Sequence, residues 1–587
     1  MYSLFYCKLQ RLTPGDFVPR GPGLQGHIST NPLTNIFALS PSAGRDSSTD
    51  ITARGYLGLR PPLGAGPSSG VLPEISGSII GVVLNKSHLC PSPLEQRVHS
   101  LALLTMGSIS ANIPLTPLDH APPGNYSCSL SYLPLRPGVD PSQAFDVLHE
   151  ALHRTFVQLP WVSGRVWPQS PSAPGWRPSQ REIRHGAVDI DGPRPYQLKF
   201  HQLESPMSYD ELKELAFPTD VFEDSELIWA PFMPDINTGP EVFVAQANFI
   251  PGGCILTSGM YHSAGDGAAV VAVLKLWADH CCALQMDKGS SSPVVPPGPE
   301  SSDRGVLQRI WENEGQGRDT VDSIDPEAWR LLGLDPPGVG ESAESDAKET
   351  NDCENGDGGK EAQQAHPARV ARSAIFYVPP EKFIALQKES LAAFADSAEG
   401  GGHSGISGSD AICALIWRCT LRARAMAGGV QRKSDSPKGN ICNPDAMARL
   451  DMPVDGRFDF SLALPTPYLG NLTVINQVFM PVIRLIAHKT PLGVVARTIR
   501  DRANKIHTAS LLDAYALARR VPDFQQLSLR NSSLDSTAML MAPLLMYPTG
   551  SLSYGSRLFG NGGRPEALRT PMWAFNRFTR ISFVLPK

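Results

Sequence analysis

The spacing of apolar and polar residues predicts four regular elements in the first half of the chain. Ala144–Leu159 carries apolar side chains at intervals of three and four residues, which predicts an amphipathic helix that ends at Pro160. Glu241–Phe249 and Cys254–Met260 are apolar runs that predict two strands joined by a Pro-Gly-Gly turn. Gly267–Leu284 is almost continuously apolar and predicts a buried helix.

A second set of elements begins at about residue 368, with a strand predicted at Ser373–Val378 and a strong helix at Ser409–Ala425. The pattern therefore predicts an N-terminal domain at residues 106–286 and a C-terminal domain at residues 368–587. Residues 287–367 are rich in Ser, Pro and Gly and then acidic. This composition predicts a disordered crossover linker with one short helix at Val306–Trp311.

The first 105 residues differ from the rest, because they are rich in Gly, Pro and Ser and show little periodicity. Such a segment buries too little apolar surface to offset the entropy of ordering. We therefore expect residues 1–105 to be disordered, or to be an extension foreign to the natural protein.

Overall charge and cysteine use exclude several classes of protein. The 52 Lys and Arg residues nearly balance the 57 Asp and Glu residues, giving a net charge of −5, which argues against binding to nucleic acid. No run approaches the roughly 20 apolar residues of a membrane span, and no signal peptide is evident. The 10 cysteines show no metal-ligand spacing, so we expect reduced thiols, no metal and a cytoplasmic protein.

The spacing His-x-x-x-Asp occurs twice, and its context separates the two copies. His185 and Asp189 lie in a polar stretch, where a surface histidine is the better interpretation. His262 follows an apolar strand and precedes an apolar helix, so its side chain can face a cleft while rigid elements hold it. A neutral histidine there can take a proton from a hydroxyl or an amine. Asp266, four residues later, could equally be a helix N-cap.

The residues from His262 to Gly267 resemble the HxxxDG motif of the BAHD-type acyl-CoA-dependent acyltransferases, especially the fungal members related to trichothecene 3-O-acetyltransferase. Further segments resemble motifs of that family in the same order, from about residue 115 to residue 587. They are Thr116–His120 (TPLDH), Leu159–Arg165 (LPWVSGR), Ser409–Arg418 (SDAICALIWR), Val454–Arg457 (VDGR) and Leu464–Asn471 (LPTPYLGN).

The resemblance implies an α/β fold of two similar chloramphenicol-acetyltransferase-like domains, each a mixed sheet with helices, with a channel between them. His262 would be the general base that deprotonates a hydroxyl or amine of a small molecule, which then attacks the thioester of acyl-CoA. Asp266 would be structural and pair with Arg457, and Gly267 and Asn471 would support the loop. The resemblance further implies acetyl-CoA as co-substrate with no bound cofactor, a fungal secondary metabolite as acceptor, and a monomer without a nucleic-acid or membrane partner.

Two departures from the family pattern lie near the C-terminus. Leu558 stands where the family's DFGWG motif has Asp, and residues 552–554 are matched to its T-S-W stretch, so Ser553 and Tyr554 are the candidates near the oxyanion. The loss of one oxyanion donor can cost about 10²–10³ in rate. The chain ends at Lys587, where the family continues with a strand and a helix. A truncated gene model is therefore expected, with an open edge in the C-terminal sheet.

Two other functions are compatible with the sequence. A catalytically degenerate relative that binds a ligand or a partner would explain the altered region around Leu558. A condensation-type, amide-forming enzyme also uses an HxxxDG motif, but it has a second histidine directly before the motif. Tyr261 occupies that place here.

Overall fold

Strands and helices alternate along the part of the chain that the computed structural model describes. It comprises residues 3–7, 111–287, 293–315, 324–325, 327–334, 374–392, 405–430, 446–527, 537–547, 549–571 and 581–586. The strands are β1 (Ser3–Cys7), β2 (Ala111–Pro114), β3 (Tyr126–Pro134), β4 (Arg165–Pro168), β5 (Arg181–His185), β6 (Leu198–Gln202), β7 (Phe243–Ile250), β8 (Gly253–Tyr261), β9 (Ala374–Val378), β10 (Met447–Asp455), β11 (Thr473–Pro481), β12 (Ala538–Pro543), β13 (Ala567–Arg569) and β14 (Ile581–Pro586).

The α-helices lie between these strands, as expected for the predicted α/β class, which is confirmed. They are α1 (Pro141–Gln158), α2 (Tyr209–Glu214), α3 (Asp224–Leu227), α4 (Gly267–Gln285), α5 (Val306–Glu314), α6 (Glu327–Leu331), α7 (Pro380–Ala392), α8 (Gly408–Val430), α9 (Arg457–Phe460), α10 (Val482–Ile486), α11 (Leu492–Ala503) and α12 (Thr508–Ala518).

The N-terminal sheet has the strand order β13-β3-β8-β7-β6, and α1 and α4 share one hydrophobic core with it. The two predicted strands form β7 and β8, an antiparallel pair whose turn contains Gly252 with a φ of +83°. Trp277 of α4 is fully buried and donates its indole N–H to the carbonyl of Leu148 in α1. A second sheet in this half, β2-β5-β4, is antiparallel throughout.

Helix α4 is long and apolar enough to cross a membrane by length and composition alone. In this fold it is a core helix that is buried in part, because Val273, Trp277 and Cys281 lie in the core of the N-terminal half while Lys275 is exposed. Its N-terminus follows directly on the end of β8, so the loop of residues 262–266 is held between two buried elements.

The C-terminal sheet has the order β11-β10-β12-β14-β1-β9, with α8 and α11 sharing its core. One expectation is wrong here. Residues 3–7 lie in the segment predicted to be disordered, yet they form β1 and pair with both β14 and β9. The last strand, β14, is paired on both sides, with β12 and β1, and the edge strands of the described sheet are β11 and β9, so the expected open edge stays a prediction. Residues 8–105 lie outside the described residues.

The predicted domain boundaries do not hold for two segments, the strand β13 and the segment of residues 287–367. Strand β13 lies within the predicted C-terminal domain, but it pairs antiparallel with β3 of the N-terminal sheet. The predicted linker of residues 287–367 is in part ordered, since α5 and α6 bury Leu307 and Ala328 in a cluster that contains Leu118 and Leu472. Residues 288–292, 316–323, 326 and 335–367 of that segment lie outside the described part of the chain.

Candidate active site

His262 lies directly after β8, at the junction of the two halves. Its backbone N–H donates to the carbonyl of Asn125 at 2.9 Å, and its own carbonyl accepts from Nδ2 of Asn471 at 3.1 Å. The residue is partly buried, and its neighbours Tyr261 and Ser263 are buried almost completely. Strand β8 therefore holds the partly accessible imidazole of His262 at this junction.

The environment of His262 favours the neutral imidazole. Burial lowers the pKa of the ring below its usual value, while the residue's own backbone carbonyl and Asp266 act in the opposite direction with less effect. Nδ1 is buried and makes no hydrogen bond with any described residue. A neutral ring can accept a proton at neutral pH, which is the property that a general base needs.

Asp266 is 1% exposed and connects the two halves. Its carboxylate receives two hydrogen bonds from Arg457, at 2.8 and 3.0 Å, which is the bidentate geometry typical of strong ion pairs. Its other donors are the backbone N–H groups of Ala268, Ala269 and Leu472 and the hydroxyl of Thr473. Burial alone would raise the pKa of Asp266, but Arg457 and the other hydrogen bonds outweigh it and lower this pKa.

Arg457, the predicted partner, also has a second carboxylate beside it. It donates to Asp455 at 2.8 Å and to the carbonyls of Tyr468 and Gly470. Although burial would lower it, the pKa of Arg457 is raised by these two carboxylates, so the guanidinium stays charged. Asp266 thus caps α4 and ties the loop to the C-terminal half, so both sequence interpretations of this residue hold.

Asn471, another predicted residue, lies 1% exposed behind the loop. Its Nδ2 donates to the carbonyls of His262 and Ser263 and to Oδ1 of Asp119. Asp119, in the TPLDH segment, also pairs with Arg304 at 3.1 Å. Sequence reasoning missed Arg304, because it lies in the segment predicted as a linker and follows no periodic pattern.

Gly267 lies at the first position of α4 against the ring of Tyr547. A Cβ added to Gly267 would lie 3.0 Å from both Cε2 and Oη of that tyrosine. Burial, Asp266 and Asp455 raise the pKa of Tyr547, so the phenol keeps its proton at neutral pH. Tyr547 was not among the predicted residues, although it lies against Gly267, directly after the loop of residues 262–266.

Replacing Gly267 by alanine is expected to lower turnover by about 3–10-fold, because the added methyl group must shift the tyrosine ring or the start of α4. The stability should change by no more than about 1 kcal/mol, since alanine favours helix. The measurement is acetyl-CoA consumption in both the wild-type and the Tyr547→Ala background. An equal effect of Gly267→Ala in both backgrounds would show that the contact is unimportant.

Ser553 and Tyr554, the predicted oxyanion residues, are not brought to His262. The carbonyl of Ser553 accepts from Sγ of Cys282, which lies about 22 Å along α4 from Gly267 at ~1.5 Å per residue. The ring of Tyr554 is buried against Trp277 in the hydrophobic core. Leu558 is buried, and its backbone N–H donates to Gln285 at the C-terminal end of α4, so the departure from the family motif lies at the other end of this helix from Gly267.

The second His-x-x-x-Asp copy has a different setting. His185 ends β5, and its Nδ1 is 3.2 Å from the carbonyl of the adjacent Gly186. The carboxylate of Asp189 accepts from the backbone N–H of Asp191 within its own loop. Among the described residues, no arginine pairs with Asp189 in the way that Arg457 pairs with Asp266. Within the same part of the chain, no group of three or more His, Cys, Asp or Glu side chains could hold a metal ion.

Comparison with known families supports the motif-based resemblance. Residues 130–281 match the model of the trichothecene 3-O-acetyltransferase-like N-terminal domain. The eremophilane O-acetyltransferase ORF8 of Penicillium roqueforti is 25% identical over 485 residues, which cover 80% of this chain and 90% of that protein. The predicted similarity to fungal acyltransferases of this type is therefore confirmed.

A longer protein matches more of the chain. The isocyanide synthase-NRPS hybrid crmA of Aspergillus fumigatus is 27% identical over 574 residues, which cover 94% of this chain but only 35% of that protein. The chain thus spans about a third of the length of this relative.

The fold resembles that of F. graminearum TRI101 in its crystal structure with coenzyme A and deoxynivalenol. The two agree with a TM-score of 0.57 at 19% identity, over 81% of this chain and 92% of that one. At this level of identity, the likeness shows that the fold is shared.

Proposed function

We propose that this chain, whose residues 130–281 match the trichothecene 3-O-acetyltransferase-like domain, is a cytoplasmic acyltransferase. It moves an acyl group, by default acetyl, from acyl-CoA to a hydroxyl or amine of a small molecule such as a fungal secondary metabolite. The observation that carries the proposal is His262, a partly accessible neutral imidazole in a loop tied to the other half by the buried Asp266–Arg457 pair.

The proposed reaction uses His262 as the general base. Its unprotonated ring nitrogen takes the proton from the acceptor hydroxyl or amine as that group attacks the thioester carbonyl. A carbon–oxygen or carbon–nitrogen bond forms, and the resulting tetrahedral oxyanion collapses by breaking the carbon–sulfur bond. The proton on His262 then passes to the departing thiolate of coenzyme A. Asp266 takes no part in proton transfer, because both of its oxygens are occupied by donors.

The position of the altered C-terminal motif argues against the degenerate alternative. That alternative rests on Leu558, Ser553 and Tyr554, which pack near the C-terminal end of α4 rather than at His262. Around His262, the Asp266–Arg457 pair and Asn471 are both in place, as the proposed general base requires.

An experiment with labelled donor tests the proposed function. The protein is incubated with isotopically labelled acetyl-CoA and an extract of fungal metabolites, and the products are searched by mass for the labelled acetyl group. A labelled product that depends on the protein and is lost in His262→Ala supports the proposal. Absence of any protein-dependent thioester consumption across broad acceptor and acyl-CoA panels would contradict it.

Condensation-type amide formation, with the acyl group on a carrier protein instead of coenzyme A, is the second candidate, because 94% of the chain aligns with the isocyanide synthase-NRPS hybrid. The place of the second histidine of condensation enzymes is taken by Tyr261, which is 1% exposed. Supplying the same acyl group on coenzyme A and on a phosphopantetheinylated carrier protein separates the candidates. Transfer from the carrier alone would favour amide-forming condensation.

The pH dependence of the reaction should reflect the lowered pKa of His262. A general base works in its neutral form, so kcat/KM is lost only as the pH falls through its pKa. Because burial lowers that pKa, the acid limb of the profile should lie below the ordinary value of about 6.5. The profile is measured in buffers from about pH 4.5 to about pH 9. An acid limb above the ordinary histidine value would contradict this assignment.

A further inference from the structure

We propose that Asp119, Arg304 and Asn471 form a positioning clamp that fixes the backbone of the loop carrying His262. The inference rests on the proposed function, because it concerns how His262, the proposed general base, is oriented. It assigns the crossover segment, which supplies Arg304, to the machinery that holds the active site.

Asp119 is the centre of this clamp and is fully buried. Its Oδ2 accepts from the backbone N–H and the hydroxyl of Thr116, at 2.8 and 2.9 Å. Its Oδ1 accepts from Arg304 at 3.1 Å and from both the backbone N–H and Nδ2 of Asn471 at 2.9 Å. Charged and neutral donors thus satisfy both oxygens of a carboxylate that has no access to water.

Two of the three partners of Asp119, Asn471 and Arg304, hold three consecutive carbonyl groups of the loop. Nδ2 of Asn471 donates to the carbonyls of His262 and Ser263, at 3.1 and 3.2 Å. Nη2 of Arg304 donates to the next carbonyl, that of Ala264. The backbone after His262 is therefore fixed by side chains that both converge on Asp119.

This clamp and the Asp266–Arg457 pair act on opposite ends of the same loop. Asp266 fixes the start of α4, whereas the clamp fixes residues 262–264, next to the base. Arg304 is held further by Trp161, since its guanidinium lies 5.2 Å from the centre of the indole ring. The side chain of Arg304 is only 5% exposed, so a ligand from solvent has little access to it, and its hydrogen bonds go to the protein.

A purely structural clamp and a positioning clamp predict different measurements. If the clamp only contributes stability, its loss lowers the amount of folded protein but leaves each folded molecule unchanged. If it positions His262, its loss lets the loop shift and admits water to the ring, whose pKa is depressed by burial. That pKa should then rise towards about 6.5 in the folded protein.

The test uses Arg304→Lys, which keeps the charge but loses the planar fork that reaches both Asp119 and Ala264. The matched control is Arg309→Lys, which lies on the same segment and alters only an exposed pair with Asp303. Asn471→Ser is the second variant, should Arg304→Lys fail to fold. Acetyl-CoA consumption gives kcat and KM, and NMR of the His262 ring, assigned with His262→Ala, gives its pKa.

We expect Arg304→Lys to lower kcat by about 10–100-fold, with KM for acetyl-CoA changed by no more than about twofold. The pKa of His262 should rise, and the control should match the wild type in both measurements. An unchanged His262 titration and an unchanged kcat per folded molecule would overturn the clamp. Because the titration needs no substrate, it tests the clamp even if the protein consumes no acyl-CoA, a result that would count only against the proposed function.

Discussion

Replacing His262 by alanine should lower acyl transfer by about 10²–10⁴-fold, the usual contribution of a general base. The fold should be nearly unaffected, because the imidazole is partly exposed and its Nδ1 makes no hydrogen bond with the described residues. Acetyl-CoA consumption and a thermal melt on the same preparation provide the measurement.

The control for this variant is His185→Ala. His185 has the same His-x-x-x-Asp spacing, but it ends an antiparallel strand and contacts only its own loop through Nδ1 among the contacts described. Its replacement should leave turnover within about twofold of the wild type. Equal losses in the two variants would show that His262 is not the base.

Arg457→Ala should destabilise the fold by about 3–5 kcal/mol, because it leaves the buried Asp266 without its counter-charge, and Asp266→Asn should cost somewhat less, because Asp455 still pairs with Arg457. Asp266 is 1% exposed, and the side chain of Arg457 is 11% exposed, so solvent screens the pair weakly. The loss should appear in urea unfolding as a lower midpoint with an unchanged slope. The fall in turnover, expressed as a change in activation free energy, should be no larger than the loss in the free energy of unfolding.

A double-mutant cycle separates this pair from the general effects of substitution. The combined Asp266→Asn and Arg457→Ala protein should lose less than the sum of the single variants, because the two side chains share their main interaction. The exposed pair Arg497–Asp501 is the control, and Arg497→Ala should cost no more than about 1 kcal/mol. A fully stable but inactive Asp266→Asn protein would instead indicate a direct catalytic role.

The sequence by itself determined the elements that surround His262. The apolar runs before and after residues 262–266 predict β8 and α4, because β8 is buried along its whole length and α4 is apolar over most of its length. The same context selects His262 over His185. The pairing of Asp266 with Arg457 follows from the family resemblance, and the structure shows it as a bidentate contact.

Only the tertiary structure decided which distant segments complete the site and the sheets. Arg304 and Tyr547 reach the loop from the crossover segment and from the chain after β12, and neither position follows a periodic pattern. Strands β1 and β13 join sheets far from their own neighbours in sequence. Ser553 and Tyr554, which the family resemblance matched to the stretch near the oxyanion, pack against Cys282 and Trp277 of α4. Periodicity reports how a residue faces its own helix or strand, whereas contacts between segments hundreds of residues apart depend on how the whole chain packs.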